Sequence, residues 1–143
     1  MEVPDEAISP EVGQLLDELR NRGFTTEETR YSGESFGDAI IVLQQGGTVI
    51  RLSRDRGQWF IEVAAGEGDW MDPVIWNSFL ESVEAPTEAV GFDDQAEMLL
   101  GDLPRIRTFG ADPGEEAIAK LRSIRKRRWE GRSELGRRPS DRA

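Results

Sequence analysis

The chain has 143 residues and a formal net charge of −10, with 37% hydrophobic and 32% charged residues. This length and composition indicate one folded domain with a strongly solvated surface rather than a disordered chain. The chain contains no cysteine and no histidine. Disulfides, Ser-His-Asp and Cys-His catalysis, and zinc sites with His or Cys ligands are therefore excluded, which leaves only carboxylate, Lys or Tyr chemistry.

The charge is distributed unevenly along the chain. Residues 1–104 hold 22 Asp and Glu against 6 Arg, a net charge of −16, whereas residues 105–143 carry +6. The start of the chain is acidic and has no apolar run, so it predicts no signal peptide, and nothing resembles a membrane span. Without cysteine, the cytoplasm is the expected compartment. We predict one globular domain over residues 1–130 and a disordered basic tail over 131–143.

The first predicted element is a helix over residues 10–22. Ser9 is placed to cap it, and Gly23 can take the left-handed conformation that ends a helix. Apolar residues recur at spacings of three and four and predict the buried stripe Val12, Leu15, Leu16 and Leu19. Residues 24–35 are polar and are compatible with a loop or a short edge strand.

Three strands are predicted between residues 36 and 65, where apolar and polar residues alternate. The breaks between them, at residues 46–47 and 54–57, are too short for parallel crossovers, so the strands form an antiparallel meander. Ile50 and Leu52 are expected to face opposite to Val49 and Arg51, and Trp59, Ile61 and Val63 opposite to Phe60 and Glu62. One face should pack against helices and the other should be partly solvated, and the sequence leaves open which is which.

Three further helices are predicted, over residues 73–83, 93–103 and 113–129. Asp72 is placed to cap the first, which Pro86 then ends, and Pro104 stops the second. We predict an α+β fold in which three or four antiparallel strands pack against about four helices.

Acidic residues dominate the region after the last predicted strand, and no basic residue lies between Arg56 and Arg105. Such a surface attracts a basic partner, although it is also what a solvated helix face needs. Tryptophan is favoured at interface hot spots, and Trp70 is the one we expect to be exposed. The candidate partner-binding residues are Trp70, Asp69, Asp72, Glu81, Glu84, Glu88, Asp93, Asp94 and Glu97.

Other patterns give weaker candidates. The turn Arg54, Asp55, Arg56 and Gly57 could contact an anion through its guanidinium groups or simply be held by its own hydrogen bonds. The acids Glu67, Asp69 and Asp72 lack the spacing of a calcium loop, so no metal and no cofactor are predicted. The basic segment 122–129 could meet a polyanion or dock on the acidic body; we expect no nucleic-acid partner.

One segment resembles a known class of proteins. Phe36-Gly37-Asp38, the strand Ala39 to Leu43, and Arg54-Asp55-Arg56-Gly57-Gln58-Trp59 resemble the core of small, acidic, mostly actinobacterial proteins, some of which are encoded beside polymorphic toxins as immunity proteins. The resemblance covers about residues 36–75. It implies a cytosolic inhibitor that binds a cognate toxin, and it assigns no catalytic residue.

Three functions remain open from the sequence. The first is a non-enzymatic protein-binding module, such as an immunity protein that neutralises a basic toxin domain. The second is a structural or secretion-system adaptor or chaperone whose basic tail docks elsewhere. The third is an enzyme that uses carboxylates alone, although no pair of carboxylates has a telling spacing. A small-molecule ligand is not indicated by any motif.

Overall fold

A computed structural model describes residues 3–33, 37–66, 68–111 and 114–136 of the chain. A short 3₁₀ turn, Asp5–Ala7, precedes the main elements. In chain order these are α1 (Pro10–Asn21), β1 (Thr25–Ser32), β2 (Asp38–Gln45), β3 (Thr48–Asp55), β4 (Gln58–Ala65), α2 (Pro73–Glu81), α3 (Phe92–Ala111) and α4 (Glu115–Gly136).

The four strands form one antiparallel sheet in the order β1-β2-β3-β4. The α+β prediction is confirmed. Residues 25–32, for which the sequence allowed either a loop or an edge strand, form the fourth strand. Two-residue turns join β2 to β3 and β3 to β4. In the second turn both Arg56 (φ 52°) and Gly57 (φ 82°) are left-handed, which matches the twist of the hairpin.

Alternation along the strands divides the sheet into two faces. The inner face packs against the helices and carries the buried residues Ala39, Ile41, Leu43, Ile50, Leu52, Ile61 and Val63. The outer face carries the residues between them, which are half-buried or exposed, such as Ile40, Val42, Val49, Arg51, Phe60 and Glu62. The predicted facing of β3 and β4 is therefore confirmed.

Helix α1 forms as its sequence predicts, one residue shorter. The Ser9 side chain accepts a hydrogen bond from the Val12 N–H at 3.4 Å. The predicted stripe of four apolar residues is buried, and Gly23 takes a φ of 100° directly after the helix.

Helix α2 ends earlier than predicted, and Pro86 does not end it. Asp72 caps the start, accepting from the Ile75 N–H at 2.9 Å. At the other end Ser82 takes the left-handed conformation, and the Val83 N–H donates to the Ser78 carbonyl at 3.1 Å. This C-cap closes the helix at Glu81 and leaves Val83 56% exposed.

A second predicted helix boundary is wrong: α3 was expected to stop at Pro104, but Pro104 lies inside it. Proline lacks the N–H that would bond to the carbonyl four residues earlier, and this loss normally breaks a helix. Here the Arg22 guanidinium donates to that carbonyl, on Leu100, at 2.8 Å. A tertiary contact from the end of α1 thus satisfies the group that the proline leaves free.

Helix α4 continues to Gly136, beyond the predicted end at Trp129. The first six residues of the predicted tail, 131–136, therefore belong to a helix. Residues 137–143 lie outside the described part of the chain, as do Phe36 of the resembling segment and the predicted helix start at 112–113.

The Arg22 contact predicts a coupling between two positions that are distant in sequence. Arg22→Met should lower the free energy of unfolding by about 0.5–1 kcal/mol, since the Leu100 carbonyl loses its charged donor. In a Pro104→Ala background the restored N–H can bond to Leu100, and the same substitution should cost less. Urea unfolding of the four proteins measures this cycle. Equal costs in both backgrounds would contradict it, and Arg20→Met, on the same helix, is the control.

Two glycines of α3 should respond oppositely to alanine. A Cβ at Gly101 would meet no atom within 4 Å, whereas one at Gly110 would lie 3.1 Å from the Cβ of Ala65. Gly101→Ala should raise the unfolding free energy by about 0.5–1 kcal/mol through helix propensity. Gly110→Ala should lower it because β4 and α3 must move apart. Thermal unfolding of both variants is the measurement. If both melting temperatures move in the same direction, close packing at Gly110 does not determine the effect of the substitution.

Candidate functional site

The outer face of the sheet carries half-buried and exposed side chains. The helices pack on the inner face and supply core residues such as Leu99 and Ile106 of α3. On the outer face Ile40, Val42 and Val49 are half-buried, and Phe60 is 45% exposed. Phe60 lies opposite Ser53 and is flanked by polar residues of the same face, and an exposed aromatic side chain in such a setting is typical of a surface that contacts another molecule.

Trp70 lies on this outer face and stacks on a charged residue. Its neighbour Met71 is buried on the inner side and bonds to Val63, so the Trp70 side chain points the opposite way. The Arg51 guanidinium lies 4.3 Å from the centroid of the Trp70 ring and donates to Glu62 at 2.7 Å. Trp70 is therefore half-buried rather than fully exposed, and its orientation is held by a cation–π contact.

A groove of about 780 Å³ runs beside β4 and joins the outer face; we call it the edge groove. One wall is β4, the second is the segment 89–92 before α3, and the far end is α4. Its residues that bear on function are Asp55, Trp59, Phe60, Glu62, Trp70, Asp72, Phe92, Arg125 and Arg128.

Arg128 holds the edge groove in shape. Its side chain is only 4% exposed, and its guanidinium donates to the carbonyls of Pro86 and Glu88. Its Nε lies 3.6 Å from a carboxylate oxygen of Asp72, the residue that caps α2. A buried charge requires such partners, so the contacts fix the loop after α2 against α4.

Sequence reasoning missed Arg128, but a signal was present. Leu121, Ile124 and Arg128 follow one another at helical spacing, and all three are buried. A charged residue at a position of an apolar stripe indicates a buried ion pair or a functional group.

Several of the predicted acidic residues pair with arginines of the same chain. Asp69 accepts from Arg122 at 2.7 Å and from Arg125 at 3.4 Å. The hydrogen bond from Arg122 lowers the pKa of the Asp69 carboxyl below its ordinary value of 3.8, and Arg125 adds to the effect. Glu81 accepts from Arg105, which also pairs with Asp102. Through the two contacts with Asp69, the basic segment 122–129 docks on the acidic body.

The remaining predicted acids stay on the surface. Glu84, Glu88, Asp93, Asp94 and Glu97 are exposed, and the described residues form no ion pair with them. Asp93 and Asp94 line a shallow recess together with Glu11 and Trp59, next to the edge groove. The acidic surface is thus smaller than the sequence suggested and is concentrated at the start of α3.

The turn of residues 54–57 is held by hydrogen bonds to the start of β2. Arg54 donates to the Gly37 carbonyl at 2.9 Å, and the Arg56 N–H donates to a carboxylate oxygen of Asp38 at 3.2 Å. Asp55 remains exposed at one end of the edge groove. Arg54 is therefore already engaged by the protein's own backbone.

Glu67 lies outside the described residues, and those that are described contain no group of three or more carboxylates placed to hold a metal ion. No helix within the described ranges has both the length and the apolar character needed to cross a membrane.

Comparison with protein-family models, with curated proteins and with solved structures finds no significant match. The features that bear on function are an antiparallel sheet with helices on one side, an uncovered outer face and a groove along one edge.

The two arginines around Asp69 predict a pH-dependent contribution to stability. Because the folded-state pKa is lowered, the contribution is complete above the ordinary value of 3.8 and is lost as the pH falls through the lowered one. Asp69→Asn should reduce the unfolding free energy by roughly 0.5–1 kcal/mol at pH 7, the size expected for a partly exposed network. The difference from wild type should close in strong acid. Asp17→Asn, on the exposed side of α1, is the control in urea titrations across this range.

Proposed function

We propose that the protein is a non-enzymatic protein-binding module whose contact surface is the outer face of the sheet. The observation that carries the proposal is the exposed Phe60 beside the oriented Trp70, on a face that the described helices leave uncovered. Aromatic side chains held in place by neighbours contribute strongly to binding because little entropy is lost when a partner packs on them.

The chemical inventory favours binding over catalysis. The chain has no histidine or cysteine to act as base or nucleophile. Asp69, Asp72 and Glu81 are engaged in ion pairs or a helix cap. A carboxylate enzyme would instead need two carboxylates facing each other across a pocket.

Within this class, we propose a cytosolic immunity protein that neutralises a basic toxin domain. The resemblance over residues 36–75 supports it, and so does the exposed acidic group at the start of α3, which would speed the encounter with a basic partner. The adaptor alternative depends on residues 131–143, so a chain without them should still bind if the protein is an inhibitor.

Co-expression with the product of the neighbouring gene tests the proposal. Wild type should co-purify with it and relieve its toxicity. Phe60→Ser combined with Trp70→Ser should weaken the complex by at least about 30-fold, the effect of losing a hot spot. Calorimetry measures the affinity, and circular dichroism checks the fold.

Val83→Ser is the matched control, because Val83 is similarly exposed but lies after α2. Unchanged affinity in the double variant would place the contact elsewhere, and the absence of both a complex and relief of toxicity would refute the immunity proposal.

A further inference from the structure

Edge strand β4 offers a specific mode of binding. We propose that the open edge of β4, at Trp59 and Ile61, receives an extended peptide segment of a protein partner as a fifth strand, with a basic residue of that segment beside Asp93 and Asp94. This rests on the proposed function and specifies how the partner is held.

The backbone geometry of β4 defines which groups are free. Val63 bonds to Met71 through both its N–H (2.7 Å) and its carbonyl (3.0 Å), on the side away from β3. Backbone groups alternate in direction along a strand, so Ile61 and Trp59 direct theirs to the same side as Val63. In the described part of the chain no hydrogen-bond partner reaches them, although Ile61 as a whole is only 2% exposed, so its unpaired groups lie at the floor of the edge groove rather than in open solvent.

The sequence explains why the edge is left open at this point. The segment ending in Met71 runs antiparallel to β4, and continuing it would place residue 73 opposite Ile61. Asp72 and Pro73 instead start α2, since the first caps a helix and the second fits its first turn. The chain therefore leaves the sheet after one bridge, and a partner strand can take the direction that it abandons.

The edge itself lacks the features that protect unpaired strands. Natural edge strands carry lysine, proline or inward charges that prevent pairing with other chains. Residues 58–61, Gln-Trp-Phe-Ile, contain no charge and no proline. A strand edge without these features is expected to pair with another chain when the protein binds its partner.

The edge groove provides the room and a fixed opposite wall. It is lined on the outer side by Phe60 and Trp70 and on the helix side by Ile75 and Phe92, where the alternating side chains of an added strand would lie. Because Arg128 ties the loop after α2 to α4, this wall is formed before binding.

Charge selects the occupant. At the Trp59 end, Glu11, Asp93 and Asp94 are exposed, and Asp55 is exposed at the groove's margin. A basic residue in the incoming segment would pair with these acids. A second copy of the chain is disfavoured, since symmetric edge pairing would bring two acidic ends and two net charges of −10 together.

A peptide probe tests this without knowledge of the partner. The probe is a short capped peptide of two arginines followed by alternating threonine and valine, and the wild-type protein is used at full length. Binding is measured by fluorescence anisotropy, and amide hydrogen exchange is followed residue by residue by NMR. With the peptide at ten times its Kd, the amides of Trp59 and Ile61 should exchange about tenfold more slowly.

Matched changes in the peptide and in the protein distinguish edge pairing from nonspecific binding. N-methylation of every second peptide residue should abolish binding in one register only, because only one edge of the probe faces β4. Asp93→Lys with Asp94→Lys should weaken binding about fivefold. Asp17→Lys, a charge reversal elsewhere, should leave it unchanged.

Three results would overturn the inference. One is no binding at about 1 mM peptide, the weak limit of specific recognition. Another is binding without protection of Trp59 and Ile61. The third is protection that rises with protein concentration alone, which would assign the edge to a second copy. In each case a complex that depends on Phe60 and Trp70 would still support the proposed function, so the two failures are distinguishable.

Discussion

The guanidinium of Arg128, a side chain that is 4% exposed, joins helix α4 to the loop after α2, 40 and 42 positions away along the chain, and to Asp72 at the start of α2. It bonds to carbonyls of the loop after α2 and lies close to Asp72, whose other task is to cap α2. Burying a charge costs several kcal/mol unless it is paired, so the loop, the cap and α4 have to take these positions together. The shape of the edge groove follows from that requirement.

Local signals were sufficient for much of the fold. The cap at Ser9, the alternation in β3 and β4 and the short turns between strands each depend on neighbouring residues, and each formed as predicted. The predicted end of α3 was wrong because a distant contact replaced a local rule. Pro104 should end α3, but Arg22, distant in sequence, bonds to the carbonyl that the proline deprives of its donor. No local pattern reveals such a donor.

The sequence identified candidate residues, but it did not reveal their contacts. Trp70, predicted to be exposed, is half-buried and stacks on Arg51 of another element. The acidic residues were read as one surface, whereas Asp69 pairs with Arg122 across 53 positions. Sequence gives the number of charges, and only the fold shows which of them cancel. Of the acids that remain exposed, Asp93 and Asp94 lie at the start of α3, beside the edge groove.

The same pair of residues links the fold to the proposed binding mode. Asp72 and Pro73 end the bridge to β4 because they are better suited to start a helix than to continue a strand. If they were replaced by strand-forming residues, the chain could cover its own edge and the groove would close. The helix start therefore leaves two residues of β4 available, and Arg128 holds the opposite wall at a distance that an added strand can fill. An open edge next to a preformed wall is more economical for recognition than a flexible loop, since little of either has to be ordered on binding.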